Sequence, residues 1–585
     1  MYSYEKVIQA GSYGRVLQIE RDGVQYAVKE FLIARTKSNI IGAVNLKEVD
    51  FLKRCRHPNI IAPLAITYGI PYKGDPPHLE KNTTDSVYVI MPLAKATLHE
   101  FMRRQDCDVP TLKRFMVQIT QALAYLHANG ICYRDVKSTN VLIFWASSDS
   151  GSEHRSETHS SLRKTPNAVL CDLGMCKPLT YGQVNSDHVG TTSYKAPEVM
   201  MSLGVYSLPM DVWALGVLFF EMFNFNMPFE RQREHGNTKK QNMETPEIVT
   251  KIFHNRGSPD IKLFNKLSKG GNTVIAFEKV SKWGPKPIAN LFNQDSCHIR
   301  WFDSGCGEPH AMSRDESEVV IIQSDQDNAL SDDSIGSGSS RSDSSGRSMK
   351  RPLDSGLPNF GTLDEYAVLL DRMLQLDPDR RPTMQEILED PFFHDVPRSG
   401  QSTFFEDDVD EWRGLCIKAT QLESFHVLRK IADDTRRERG LKTFDGFSSL
   451  FWHEEVVSYR VFFLGLDMYD RCLLTLEGRN EEIDEALLAY CCCYIACKYF
   501  LDESTPHISL MFPKLSYDNT SIIRMEQKIL IELLDWQIYR PTVYDILKAK
   551  PEPHVLSKVL MRKLVVYGYR IDKIADMYTQ MVGKK

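Results

Sequence analysis

Asp135, Lys137, Asn140 and Asp172 are the residues of this chain whose types and spacing fit one piece of chemistry. In Arg134-Asp135-Val136-Lys137-Ser138-Thr139-Asn140, a carboxylate able to take a proton from a hydroxyl is followed by a cation and then by a carboxamide. Asn140 and Asp172, the latter opening Asp172-Leu173-Gly174, offer oxygen ligands to Mg2+. Upstream, Gly11-Ser12-Tyr13-Gly14-Arg15-Val16 would let the backbone approach phosphate oxygens closely. Lys29 follows at the distance expected of a lysine that meets the α- and β-phosphates of ATP, and Glu48 is its natural ion-pair partner. Singly, each has a plain structural reading: two glycines occur in any hairpin, and an Asp often opens a turn. In this order they describe transfer of a phosphoryl group to a hydroxyl, where several negative oxygens must be neutralised at once.

The elements that must hold these residues can also be read. Val16-Leu17-Gln18-Ile19, Gln25-Tyr26-Ala27-Val28-Lys29 and Val87-Tyr88-Val89-Ile90 alternate as strands, and Leu46 to Arg54 reads as a helix between them. From Leu98 to His394 helical patterns dominate. Two inserts, about 145–165 and 324–350, are rich in Ser with Glu, His, Asp or Gly, and bury too little apolar surface to offset the entropy of ordering. A polar junction at 395–408 separates a second part, expected to be wholly helical, with a domain over 409–550 and a helical tail over 551–585. There, Leu466 to Leu473 has the spacing of a buried helix face, and Leu487 to Tyr499 is small and apolar enough for the centre of a bundle. Met525, Ile529, Leu530, Leu533 and Leu534 mark a further amphipathic helix, ended near Arg540-Pro541-Thr542.

With 585 residues, more than one domain is expected. A formal charge of −6 gives no reason to expect nucleic acid or a membrane surface as partner. No apolar run reaches the roughly 18 residues of a spanning helix, and the polar start does not read as a signal peptide. Thirteen cysteines without such a signal suggest free thiols in a reducing, intracellular setting, cytoplasmic or nuclear. Cys491-Cys492-Cys493 with Cys497 could suggest a metal site, but lacks paired ligands from a second element and reads as small buried hydrophobes.

On these motifs the first part resembles a eukaryotic protein kinase over Met1 to His394, with a lysine at position 137 as in serine/threonine kinases. Further matches in order are Gly190-Thr191-Thr192-Ser193-Tyr194-Lys195-Ala196-Pro197-Glu198, Asp211-Val212-Trp213-Ala214-Leu215-Gly216, and Arg381, which corresponds to the family partner of Glu198. The resemblance implies a two-lobed α+β fold with a β-rich first lobe and a helical second. It implies an ATP pocket of Ile8, Gly11, Gly14, Val16, Ala27, Lys29, Met91, Leu93 and Ala94, with Asp135 and Lys137 catalytic and Asn140 and Asp172 on Mg2+. Glu48-Val49-Asp50-Phe51-Leu52-Lys53 and Gly257-Ser258-Pro259-Asp260 are similar to the cyclin-dependent branch. Departures are Gln9 for the first loop glycine, Tyr133 for a His and Leu173 for a Phe. Ser186 falls where that branch carries its activating phosphate, with Lys47, Arg134 and Lys177 where it gathers arginines, and Gly190 where a left-handed backbone favours Pro after the acceptor.

Asp470-Arg471, Ala496-Cys497-Lys498-Tyr499, Arg524-Met525-Glu526 and Arg540-Pro541-Thr542 resemble a cyclin box over Phe404 to Leu547. The resemblance implies that Lys498 and Glu526 reach the kinase; otherwise both are ordinary solvated helix charges. Together these readings give a kinase acting on protein Ser/Thr and activated by its own cyclin-like bundle, in cis or on a second copy. The alternative is a weak kinase scaffold whose second part recruits a separate kinase.

Overall fold

A computed structural model of the chain describes residues 2–11, 14–31, 43–68, 72–73, 87–103, 108–145, 166–178, 190–202, 206–229, 245–268, 274–280, 282–294, 296, 362–396, 443, 457–477, 479, 481–501 and 517–538. Ser12, Tyr13, Ser186, most of 324–350 and its surroundings, the greater part of the 395–408 junction, Arg540-Pro541-Thr542 and the 551–585 tail lie outside them.

Strands β1 (Tyr2–Gly11), β2 (Gly14–Arg21), β3 (Val24–Phe31), β4 (Ala65–Tyr68), β5 (Tyr72–Lys73) and β6 (Val87–Pro92) form one sheet in the order β4-β6-β3-β2-β1-β5. Strand alternation divides its faces. Leu17, Ile19, Val28, Tyr88 and Ile90 close a small core on one side. Val16 stands opposite Lys29, and Ala27 opposite Met91, so these four share the other side. Helix α1 (Ala43–Arg54) carries Leu46, Val49, Phe51 and Leu52, all 0–1% exposed.

The second lobe is helical: α2 (Leu98–Met102), α3 (Val109–Ala128), α4 (Pro197–Met201), α5 (Pro209–Asn224), α6 (Thr245–Arg256), α7 (Ile261–Leu267), α8 (Leu363–Met373) and α9 (Met384–Leu388). Every residue of α5 from Met210 to Asn224 is buried, which makes it the axis of the lobe. The continuous helical pattern read from Leu98 to His394 needs correction. Short strands β7 (Ala96–Thr97), β8 (Ile131–Cys132), β9 (Val141–Trp145), β10 (Pro166–Leu170) and β11 (Lys177–Pro178) form two small ribbons, β10-β9-β7 and β11-β8. Strands of two residues have no period to detect, and the five-residue runs of β9 and β10 are too short and apolar to tell from helix by period. Trp145 pairs with Pro166, so the first insert leaves and rejoins at facing positions of one ladder. Asp395 and Val396, read as linker, still pack: Asp395 pairs with the buried Lys113 on α3, and Val396 is 8% exposed.

In the C-terminal part, α10 (Val457–Thr475), α11 (Glu485–Leu501) and α12 (Asn519–Gln527) pack on one another. Asp518 caps α12 by accepting from Ser521 N. The helix then widens to a π-helical turn, Lys528–Leu533, in which Leu534 N–H bonds Ile529 O five residues back. It ends on two consecutive left-handed residues, Asp535 (φ 44°) and Trp536 (φ 63°). Cys472, Cys491, Cys492, Cys493 and Cys497 are at most 1% exposed and unbonded, as hydrophobes would be. One continuous core runs from the first part into these helices, with the Phe51 and Tyr499 rings 6.4 Å apart. Among the described residues no helix is long and apolar enough to cross a membrane.

Candidate active site

Between the lobes, a strand, a helix and two turns bring the predicted residues together. Lys29 Nζ, from β3, meets both Glu48 oxygens of α1 at 2.7 Å and Asp172 Oδ1 at 3.1 Å. Burial works against the lysine's charge, but Glu48 and Asp172 outweigh it and raise its pKa. Burial pushes Glu48 up to about 7, Lys29 pulling the other way and Asp172 adding to the rise. Burial also opposes ionisation of Asp172, yet Lys29, Lys137 and the Gly174 N–H hold it below the usual carboxylate range. Asp172 is left-handed (φ 57°, ψ 70°), a conformation that costs about 1–2 kcal/mol outside glycine and must be held by its surroundings. Next to it, the buried Tyr133 donates its hydroxyl to Cys171 O, which is how a tyrosine serves at the position of the family His.

Asp135 is fixed by three donors. Lys137 Nζ lies 2.7 Å and Asn140 Nδ2 2.9 Å from its Oδ2, and Thr191 Oγ1 lies 3.0 Å from Oδ1. The turn that presents it is anchored from below: Asp211, in the first turn of α5, accepts from Tyr133 N at 2.7 Å and Arg134 N at 2.8 Å. With Asn140 Nδ2 committed to Asp135, the carboxamide oxygen is the atom left to meet a cation, and the Asp172 carboxylate is a second oxygen donor. Two oxygen donors suit a hard divalent ion, so these residues fit Mg2+.

The residues that the resemblance assigns to an ATP pocket lie on β1, β2, β3 and at the end of β6. Val16 is half-buried and Ala27 buried; Met91, Leu93 and Ala94 are half-buried along the end of β6. Ile8 sits at a bulge of β1, between Val7 and Gln9, and is 47% exposed. Gly11 faces Gly14 across the β1–β2 turn. A Cβ on Gly14 would stand 2.2 Å from Glu30 O, so only glycine fits there.

Glu198 and Arg381 form a buried bidentate pair at 2.6 and 2.8 Å, with the guanidinium 5.0 Å from the centre of the Trp213 ring. Gly190 takes φ 75°, and a Cβ there would meet Arg134 O at 2.8 Å. Lys47, Arg134 and Lys177 are all buried; Arg134 donates to Met175 O at 2.5 Å and Tyr206 OH at 3.1 Å.

Lys498 and Glu526 are buried and paired with each other across α11 and α12, so neither is a solvated helix charge. The described contacts between the two parts join Asp50, Lys53 and Arg54 on α1 to Tyr499, Asp535 and Ile538. Asp50, Lys53 and Tyr499 belong to the motifs Glu48 to Lys53 and Ala496 to Tyr499, which give them no individual role; Arg54, Asp535 and Ile538 lie outside them.

The family model for the protein kinase domain matches residues 2–393, more than half of the chain. This chain belongs to the protein kinase family. The kinase is 26% identical to the probable CTD kinase subunit alpha homolog of Encephalitozoon cuniculi, over 40% of this chain and 60% of that one. It is 28% identical to the protein kinase gsk3 of Schizosaccharomyces pombe, over 38% and 50%, and 28% identical to the serine/threonine-protein kinase MAK of Mus musculus, over 39% and 32%. The kinase thus spans about half the length, or less, of several curated relatives it matches.

Proposed function

We propose that the chain transfers the γ-phosphoryl group of ATP to Ser or Thr hydroxyls of proteins, and that its C-terminal helices are its activator. The observation that carries this is the closed Lys29–Glu48–Asp172 set on a helix whose far side is bonded to those C-terminal helices. Lys29 would hold the α- and β-phosphates, and Glu48 keeps its ammonium in place. Asp135 would accept the hydroxyl proton, its carboxylate already oriented by Asn140 and Thr191. Lys137 lies where it can neutralise the moving phosphoryl group. Asn140 and Asp172 would hold Mg2+, which when bound would supply charge neutralisation at the phosphate oxygens. A relative named as a serine/threonine-protein kinase supports the acceptor class, and the cyclin-dependent-like branch is proposed from the motifs at 48–53 and 257–260.

The C-terminal surface that would recruit a separate kinase is already seated on α1, which favours the activator reading over the scaffold. Fusion makes docking intramolecular, at an effective concentration on the order of millimolar for a short linker. Gly190, restricted to glycine, suits acceptors followed by Pro, which an oriented peptide array would display.

Two measurements test this. Labelled ATP and a protein substrate should yield phosphoserine or phosphothreonine with the natural chain and none with Asp135→Asn; equal labelling by both overturns the enzyme reading. A protease site introduced at 399–400, cut after folding and followed by dilution, should abolish most turnover. Turnover that survives cutting and dilution overturns the activator.

A further inference from the structure

Residues two apart on a helix point roughly 200° apart, so Glu48 and Asp50 face opposite sides of α1. Glu48 faces the cleft. Asp50, fully buried, faces the C-terminal helices and accepts hydrogen bonds from both parts of the molecule. Arg54, one turn along the same helix, grips it with Nε at 3.0 and 3.1 Å and a terminal nitrogen at 2.7 Å. Tyr499 OH donates to Oδ2 at 2.8 Å, and Ile538 N–H donates to Oδ1 at 2.9 Å. Arg54 also reaches Tyr499 OH at 3.3 Å, which closes a ring of three side chains.

Ile538 reaches this position because the π-helical turn and the left-handed Asp535 and Trp536 fold the chain back toward α1. The same turn sets Asp535 against Lys53 at 2.8 Å. A buried carboxylate is tolerated only while its donors are present, so this node accepts one arrangement of the C-terminal helices and penalises others.

We infer that Asp50 is a positioning residue for phosphoryl transfer, setting the rotation of α1 so that Glu48 meets Lys29, and that it selects partners able to offer a phenol at the place of Tyr499. This rests on the reading of the C-terminal helices as an activator. Asp50 touches no substrate; it acts through Glu48. A cyclin-like partner lacking that phenol would bury the carboxylate one donor short, which gives the kinase a preference for its own C-terminal part.

The test uses the full chain. Tyr499→Phe removes one oxygen and keeps the packing with Phe51. It should raise the KM for ATP roughly tenfold, the scale of a lost hydrogen bond to a charged group, while lowering the thermal midpoint by no more than a few degrees. Asp50→Asn should do at least as much, and the double variant no more than Asp50→Asn alone. In a Glu48→Gln background, Tyr499→Phe should leave the KM for ATP where Glu48→Gln put it, a masking that a purely structural role would not produce. Unchanged KM in Tyr499→Phe, strictly additive losses, or a full effect in the Glu48→Gln background each overturn the inference. If cutting at 399–400 abolishes turnover while Tyr499→Phe has no effect, the activator stands and the node fails. If cutting has no effect, the activator itself has failed.

Discussion

The two faces of α1 use the same kinds of group for opposite ends. On the cleft side, Lys29 bonds two carboxylates at once, and the side chain of Asp172 remains 41% exposed. On the far side, Asp50 is fully buried and its donors come from a neighbouring guanidinium, a phenol and a peptide N–H. A charge cluster left open to a cleft can exchange partners for an incoming ligand. One closed by neighbouring groups can only hold a position. On the proposed function, the open face would carry the reaction and the closed face would keep it aligned.

The strongest way to sharpen this contrast is Asp172→Ala. It should lower turnover by several orders of magnitude, because it removes a charge that acts on the reacting phosphate, while thermal unfolding shows a fold as stable as before or more so. A variant with near-normal turnover would break the assignment of the open face.

Arg54→Ala is its counterpart on the closed face. It leaves Asp50 buried without its strongest partner and should cost about 3–5 kcal/mol of stability, read by chemical denaturation. A loss below about 1 kcal/mol would mean that Asp50 finds water there.

Acidity provides a third, smaller effect. Burial raises Glu48 to about 7, above its ordinary value of 4.5. Protonating it frees Lys29, so kcat/KM for ATP should fall about tenfold per pH unit well below 7. Glu48's own contribution to stability moves the other way: the folded state binds the proton more tightly than the unfolded chain, so that contribution is fullest below about 4.5 and is lost as pH rises through 7. A kcat/KM that falls on acidification as steeply in Glu48→Gln as in the natural chain would refute the assignment.

The smallest effect belongs to Lys53→Ala. Its partner Asp535 is 68% exposed, and the loss should stay within about 1 kcal/mol.

What the sequence disclosed follows the same division. Asp135, Asn140 and Asp172 were legible because the chemistry demands fixed residue types at fixed spacing, and the structure sets them around one point. Lys29 and Glu48, nineteen residues apart, were legible for the same reason. Asp50 and Tyr499 lay in the motifs at 48–53 and 496–499, but their bond to each other and to Arg54 was not legible, because a carboxylate and a guanidinium one turn apart look alike on a solvated helix and a buried one. Lys498 and Glu526 were read as reaching outward; they meet each other, a pairing that only the packing of α11 on α12 reveals. The apolar spacing from Met525 to Leu534 gave the helix but not its π-helical turn, whose extra residue shifts the facing positions without altering composition.

That turn has a consequence for how the sequence can change. Straightening Lys528–Leu533 to ordinary α-helical winding with its length unchanged would rotate everything beyond it by roughly 100°. Lys53 and Asp50 would lose Asp535 and Ile538 together. Removing one residue along with the straightening would leave the direction almost as it is, so laboratory evolution of active variants should accept a one-residue deletion in this stretch more readily than a one-residue insertion.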